Sequence, residues 1–276
     1  MTFPRAALAG LICCAAFAAP ATGQELTDEQ AAEAMDFAMH DAAFTLFHEI
    51  GHLLVGELGL PVLGKEEDAA DALAVILLLN DASDEIESFN TLIDSADGWY
   101  FNAVKSTGEG LDDLSFYDEH SLDIQRAYAM VCMMVGFNQK EFGETADIYE
   151  IDKERQESCA FTYQQAANSW TTLLEPHFAA DAAGAGISIS YEEAGDFADF
   201  AAELQDRRVL EKAAELVVAS FVLPRPVTFR AALCGEANAY YDPDAAEILY
   251  CYELAANMHE LYVENVVAQA DEAAVK

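Results

Sequence analysis

The sequence predicts an α+β fold, predominantly helical, closed by a C-terminal β-hairpin. Apolar residues recur at helical spacing through most of the 276-residue chain. Gly, Pro and Asn-Asp steps cut that pattern into helix-length segments. One late stretch, Val227–Glu253, reads instead as strand, turn and strand, with the turn at Asp242–Ala245.

Thr27, with Gln30 three residues on, forms a capping-box signature. A helix is expected from there to about Leu58, where Gly59-Leu60-Pro61 stops it. A second runs from Glu66 to Leu79 and ends at Asn80-Asp81. Residues 84–106 have mixed helical periodicity, with aromatics at Phe89, Trp99, Tyr100 and Phe101. Further helices are expected over Ser121–Phe137 and Glu154–His177. Gly184 and Gly186 mark a break, and residues 182–190 have room for a short strand. A long helix is expected from Tyr191 to Val222, stopped by Pro224 and Pro226. The last helix spans Glu253–Gln269. Residues 24–276 thus read as a single domain, with 182–190 as the place for a subdomain boundary.

Asp and Glu number 50 against 13 Lys and Arg, a formal net charge of −37. That charge argues against nucleic acids and anionic membranes as partners, because phosphate binding needs an excess of Lys and Arg. The 53% of hydrophobic residues supplies a core and excludes disorder.

Residues 1–23 contain one basic residue, Arg5, then an apolar run from Ala6 to Ala19 and small residues after it. That is the pattern of a secretory signal peptide. Cleavage after Ala21 or Gly23 fits, with Gly23 preferred, and a periplasmic or secreted product is expected. Cys13 and Cys14 leave open a lipoprotein anchor. No later run is long and apolar enough to span a bilayer.

Export leaves Cys132, Cys159, Cys234 and Cys251, which allow three disulfide connectivities. The turn at Asp242–Ala245 brings Cys234 close to Cys251, which leaves Cys132 for Cys159. Free buried thiols are the alternative.

His48-Glu49-Ile50-Gly51-His52 is HExxH. On a helix, positions i and i+4 lie about 40° apart, so both imidazoles project from one face and can grip one Zn²⁺. Glu49 sits beside them, placed to take a proton from an attacking water. The alternative is an amphipathic helix with two solvated histidines. A catalytic zinc needs a third protein ligand. Glu67 and Asp71, at i and i+4 of the next helix, form ExxxD: Glu67 as ligand, Asp71 as the carboxylate that orients a ligand histidine. Asp68 is the rival third ligand. An acidic helix N-terminus that answers the helix dipole is the plain alternative.

The segments HEIGHLLVGELGLPVLGKEEDAADALA, DEHSLDIQR and CGEANAYYDP…CYEL resemble a bacterial family labelled "putative metallopeptidases". The same pieces are similar to parts of the neprilysin-like zinc peptidases. This resemblance implies a compact zincin-like fold with a gluzincin-like site, one Zn²⁺ per chain, and hydrolysis of peptide or protein substrates. It implies that His48, His52 and Glu67 bind zinc and that Glu49 is the general base. It further implies that His120, held by Asp118, stabilises the oxyanion. Arg126 would hold a substrate carbonyl, and the Asn238-Ala239 strand would bind substrate backbone. Two departures stand out. Glu67 follows His52 by only 15 residues, and the Asn-Ala-Tyr-Tyr segment follows the zinc helix instead of preceding it. His120 beside Ser121 also fits a plain helix cap, and Arg126 a plain salt bridge. His40, His177 and His259 have no partner at a telling spacing. The competing class is a non-catalytic secreted metal-binding protein on the same scaffold.

Overall fold

The structure is a computed structural model that describes residues 26–81, 83–107, 117–179 and 186–268. The signal-peptide segment 1–23 therefore lies outside the described residues, as do residues 180–185 of the expected break.

Helix α1 runs Asp28–Leu58. The Thr27 hydroxyl accepts from the Gln30 amide, and Gln30 Oε1 accepts from the Thr27 amide, so the cap is reciprocal. Gly59 ends the helix in the left-handed region at φ 63°. From Phe37 onward α1 is buried on nearly every side. A helix that is apolar all round belongs at the centre of a fold. The others are α2 (Glu66–Leu79), α3 (Glu85–Thr107), α4 (Asp123–Phe137), α5 (Gln139–Ile148), α6 (Lys153–Leu174), α7 (Ala198–Asp206), α8 (Val209–Ser220) and α9 (Tyr252–Tyr262). Four short strands complete the fold: β1 (Ile187–Tyr191), β2 (Val227–Ala232), β3 (Ala239–Asp242) and β4 (Glu247–Cys251). The class is α+β and predominantly helical. No described helix is long and apolar enough to cross a membrane.

The sheet order is β1-β2-β4-β3. β3 and β4 form an antiparallel hairpin, and Asp242 Oδ1 holds its turn by accepting from the Asp244 and Ala245 amides. β2 was expected to be one arm of that hairpin. It runs parallel to β4 instead, with β1 parallel on its other side. Residues 233–238 cross the end of β4 to reach β3. Cys234 and Cys251 join there, and Cys132–Cys159 ties α4 to α6.

Three other expectations change. Tyr191 closes strand β1 rather than opening a helix, because Ile187, Ile189 and Tyr191 alternate inward and pair with β2. The expected helix is then two, α7 and α8, separated at Arg208, whose φ is 57°. α5 is an additional helix. Asn138 begins it by accepting from the Lys140 and Glu141 amides.

α1 and α2 pack antiparallel: His48 meets Asp71, while His52 meets Glu67. Their backbones touch at Gly51, where an added Cβ would lie 2.8 Å from Ala70 Cα. Only glycine fits that crossing. Gly51→Ala should destabilise the protein by about 1–3 kcal/mol, the usual penalty of overpacking. Gly64→Ala, in open space, should stay within about 0.5 kcal/mol of wild type. Urea denaturation of the two variants checks the pair.

Candidate metal centre

His48, His52 and Glu67 each offer one ligand atom, and these atoms lie within 4.8 Å of one another. His48 Nε2 is 3.1 Å from His52 Nε2 and 3.1 Å from Glu67 Oε2. His52 Nε2 is 3.3 Å from that same oxygen. On the far side of each ring, Nδ1 faces a carboxylate: His48 Nδ1 is 2.8 Å from Asp71 Oδ1, and His52 Nδ1 is 2.9 Å from Glu66 Oε1. A carboxylate can only accept, so each Nδ1 carries the proton and donates it. In the neutral rings both Nε2 atoms then present lone pairs. Two nitrogen lone pairs and a carboxylate oxygen crowded together repel unless a cation sits among them. Two imidazoles and one carboxylate are also the ligand types of a zinc site with an open position.

The electrostatics point the same way. Burial alone would lower the His48 pKa, but Asp71 and Glu67 raise it to about 9. His52 is raised as well, through Glu67 and Glu66 against burial. Burial raises Glu67, yet His120, His48 and His52 together hold it far below the usual carboxylate range. Burial also raises Asp71, but Arg126 and His48 prevail and bring it down to about 2. The carboxylates that draw protons onto these imidazoles are the groups that would favour a divalent cation in the protons' place.

Glu49 is 6% exposed. Burial raises its pKa, offset by His48 and His52, and by the Tyr241 backbone amide, which donates to it from β3. His120 stands beside the cluster with Nε2 2.9 Å from Glu67 Oε2 and Nδ1 3.2 Å from Asp118 Oδ1. Lys65 pins the loop by donating to the Asp118 and His120 carbonyls. Asp68 is not part of the donor cluster; it lines a separate cavity with Asp71 and Arg126.

A cavity of about 220 Å³ opens beside the cluster. His48, Glu49, His120, Arg126, Asn238 and Ala239 all line it. Arg126 Nε and Nη2 donate to Asp71 at 2.7 Å each, and its guanidinium lies 3.5 Å over the Trp99 ring. The Asn238 carbonyl accepts from the Cys251 amide, and its side chain accepts from the Ala239 amide.

Sequence reasoning passed over Glu66, Asp41, Thr45, Trp99, Asn102 and Asn257. Asp41 and Thr45 were findable: positions 41, 45, 48 and 52 follow i, i+4, i+7, i+11 and share one helix face. Glu66 is the immediate neighbour of Glu67. Trp99, Asn102 and Asn257 arrive from distant helices with no spacing to announce them. His40, which has no partner at a telling spacing, is a buried structural residue with Nδ1 2.5 Å from Asp94 Oδ2.

The fold and this site define a helical hairpin that carries a two-histidine, one-carboxylate cluster able to hold a metal ion. The chain belongs to the family described as "putative metallopeptidase", whose model matches residues 11–174 and 191–276. Membership supports a metal-dependent peptidase that acts on peptides or proteins. No curated protein and no solved structure matches the chain.

Arg126 is 6% exposed and Asp71 8%. Arg126→Met should cost about 3–5 kcal/mol, because it leaves the Asp71 carboxylate buried without its cation. Chemical denaturation followed by circular dichroism measures it.

Proposed function

We propose that this chain is an exported zinc metallopeptidase on a zincin-like scaffold. The observation that carries the reading is the convergence of His48 Nε2, His52 Nε2 and Glu67 Oε2 on one point beside the cavity. In this reading those three residues hold one Zn²⁺ per chain. When bound, zinc supplies a Lewis acid that acidifies water and polarises a carbonyl. Glu49, buried beside the donors, accepts the proton of the attacking water and returns it to the leaving amine. Asp71 fixes the His48 tautomer, and Arg126 holds Asp71 in place while lining the cavity. His120, oriented by Asp118, donates to the oxygen on which negative charge develops. With Nε and Nη2 kept on Asp71, Arg126 meets the substrate carbonyl through Nη1 in this reading. The Asn238-Ala239 segment leads into edge strand β3 and receives substrate backbone there. Export is supported by the 1–23 pattern and by the two disulfides, which persist in oxidising compartments.

Metal analysis and turnover on a mixed peptide pool test the reading together. His48→Ala, His52→Ala and Glu67→Ala should each abolish stoichiometric zinc. Asp71→Ala should weaken zinc by roughly 10–100-fold. Glu49→Gln should keep the metal and lose on the order of 10²–10⁴ in rate. Full zinc with no wild-type turnover on any peptide would favour the non-catalytic metal-binding protein. Retained zinc in Glu67→Ala would remove the third ligand. Mass spectrometry of the exported protein should find Gln24 at its N-terminus.

A further inference from the structure

The chemistry above leaves Asp41 without a task. It lies seven residues before His48 on the same face of α1, lines the cavity and is 5% exposed. Thr45, one turn along, hydrogen-bonds to it. Arg126 is near enough for its charge to be felt, but its Nε and Nη2 are committed to Asp71. Among the described residues no cation forms an ion pair with Asp41. Burial therefore dominates and pushes the Asp41 carboxyl up to about 7. A buried carboxylate without a paired cation is costly, and a native fold carries few of them.

Two more polar atoms nearby are unsatisfied. Trp99 Nε1 and the Tyr250 hydroxyl are buried with no hydrogen-bond partner among the described residues. Trp99 lines the cavity, and burial plus the neighbouring Asp41 push the Tyr250 phenol well above its ordinary value. The rest of the lining is mixed. Phe44, Leu254 and Met258 give apolar walls, and Asn102 and Asn257 add side-chain amides, each with an acceptor oxygen. Walls of that kind suit an aliphatic stem, and the acceptors suit a cationic tip. The volume of about 220 Å³ is smaller than the roughly 300–1,000 Å³ of a whole-ligand site and fits one side chain.

Charge balance agrees. Asp41, Glu49, Glu67 and Asp71 are anionic when ionised, against Arg126 and, when protonated, His120. With His120 neutral, a divalent metal leaves one negative charge uncompensated. An acidic side chain would be repelled, and an apolar one would leave Asp41 unpaired.

We infer that this cavity is a specificity pocket for a lysine or arginine side chain next to the scissile bond, with Asp41 as the receiving carboxylate. His48 and Glu49 line the same cavity, so a side chain held here brings its peptide bond to the reacting groups. The inference rests on the peptidase reading above.

The test compares peptides that carry lysine or norleucine, a similar stem without charge, beside the cleaved bond. Zinc-loaded wild type should favour lysine in kcat/KM by at least about 30-fold, the lower end of the cost of losing one partner of a desolvated charge pair. Asp41→Asn should bring that ratio to near unity. The ratio is internal to each variant, so partial loss of fold cancels from it. A wild-type ratio near unity, or one that Asp41→Asn leaves intact, overturns the pocket. Calorimetry of the same peptides on zinc-loaded Glu49→Gln protein is a second arm that needs no turnover. Tighter lysine binding there supports the pocket, and equal affinity overturns it. Absence of wild-type turnover on every peptide would sink the peptidase reading, while the binding arm still decides the pocket.

Discussion

Asp71 is a carboxylate held between a guanidinium and an imidazole inside the protein, and three helices are arranged to keep it there. It stands on α2, takes two hydrogen bonds from Arg126 on α4 and one from His48 on α1. Such a group adds little net stability over a well-packed apolar core, but it is intolerant of losing a partner. The surroundings reflect that. Trp99 covers the guanidinium, and Gly51 lets α1 and α2 come close enough for Asp71 to reach the His48 ring. The orientation of His48 in the donor cluster is inherited from this buried contact.

The opposite wall is held by a second polar knot. Glu57, one turn past His52, accepts from Arg225 and from the Tyr241 hydroxyl at 2.6 Å. Tyr241 packs directly on Gly56 of α1. This docks β3 against the helix so that its backbone reaches Glu49. The helical hairpin thus supplies the donors, and the sheet supplies the wall facing them.

Much of this was legible in the sequence where the signals are local. The bounds of α1 and α2 follow from a capping box, a terminal glycine and an acidic first turn, each acting within a few residues. HExxH and ExxxD each put i and i+4 side chains on one helix face, and the α1–α2 packing brings the two faces together. Tertiary pairing was not legible. Tyr191 has a helix-like context but is held in β1 by β2, and β2 itself pairs parallel with β4. The commitment of Arg126 to Asp71 spans 55 residues, and no spacing rule links them. Asp41 is the intermediate case: its position on the helix face was readable, but its burial was not.

Chain separation divides the site into an early and a late part. His48 and Asp71 are 23 residues apart, whereas Glu57 and Tyr241 are 184 apart. Loop closure grows with the logarithm of length, so the wall costs about 2 kcal/mol more chain entropy to bring in than the donor hairpin. Local contacts form sooner and non-local ones later. By this measure the donor hairpin is the cheaper part of the site to close, and the cavity wall the part that long-range packing must hold. Weakening the wall is expected to open the cavity while the clustered imidazoles and carboxylate stay together.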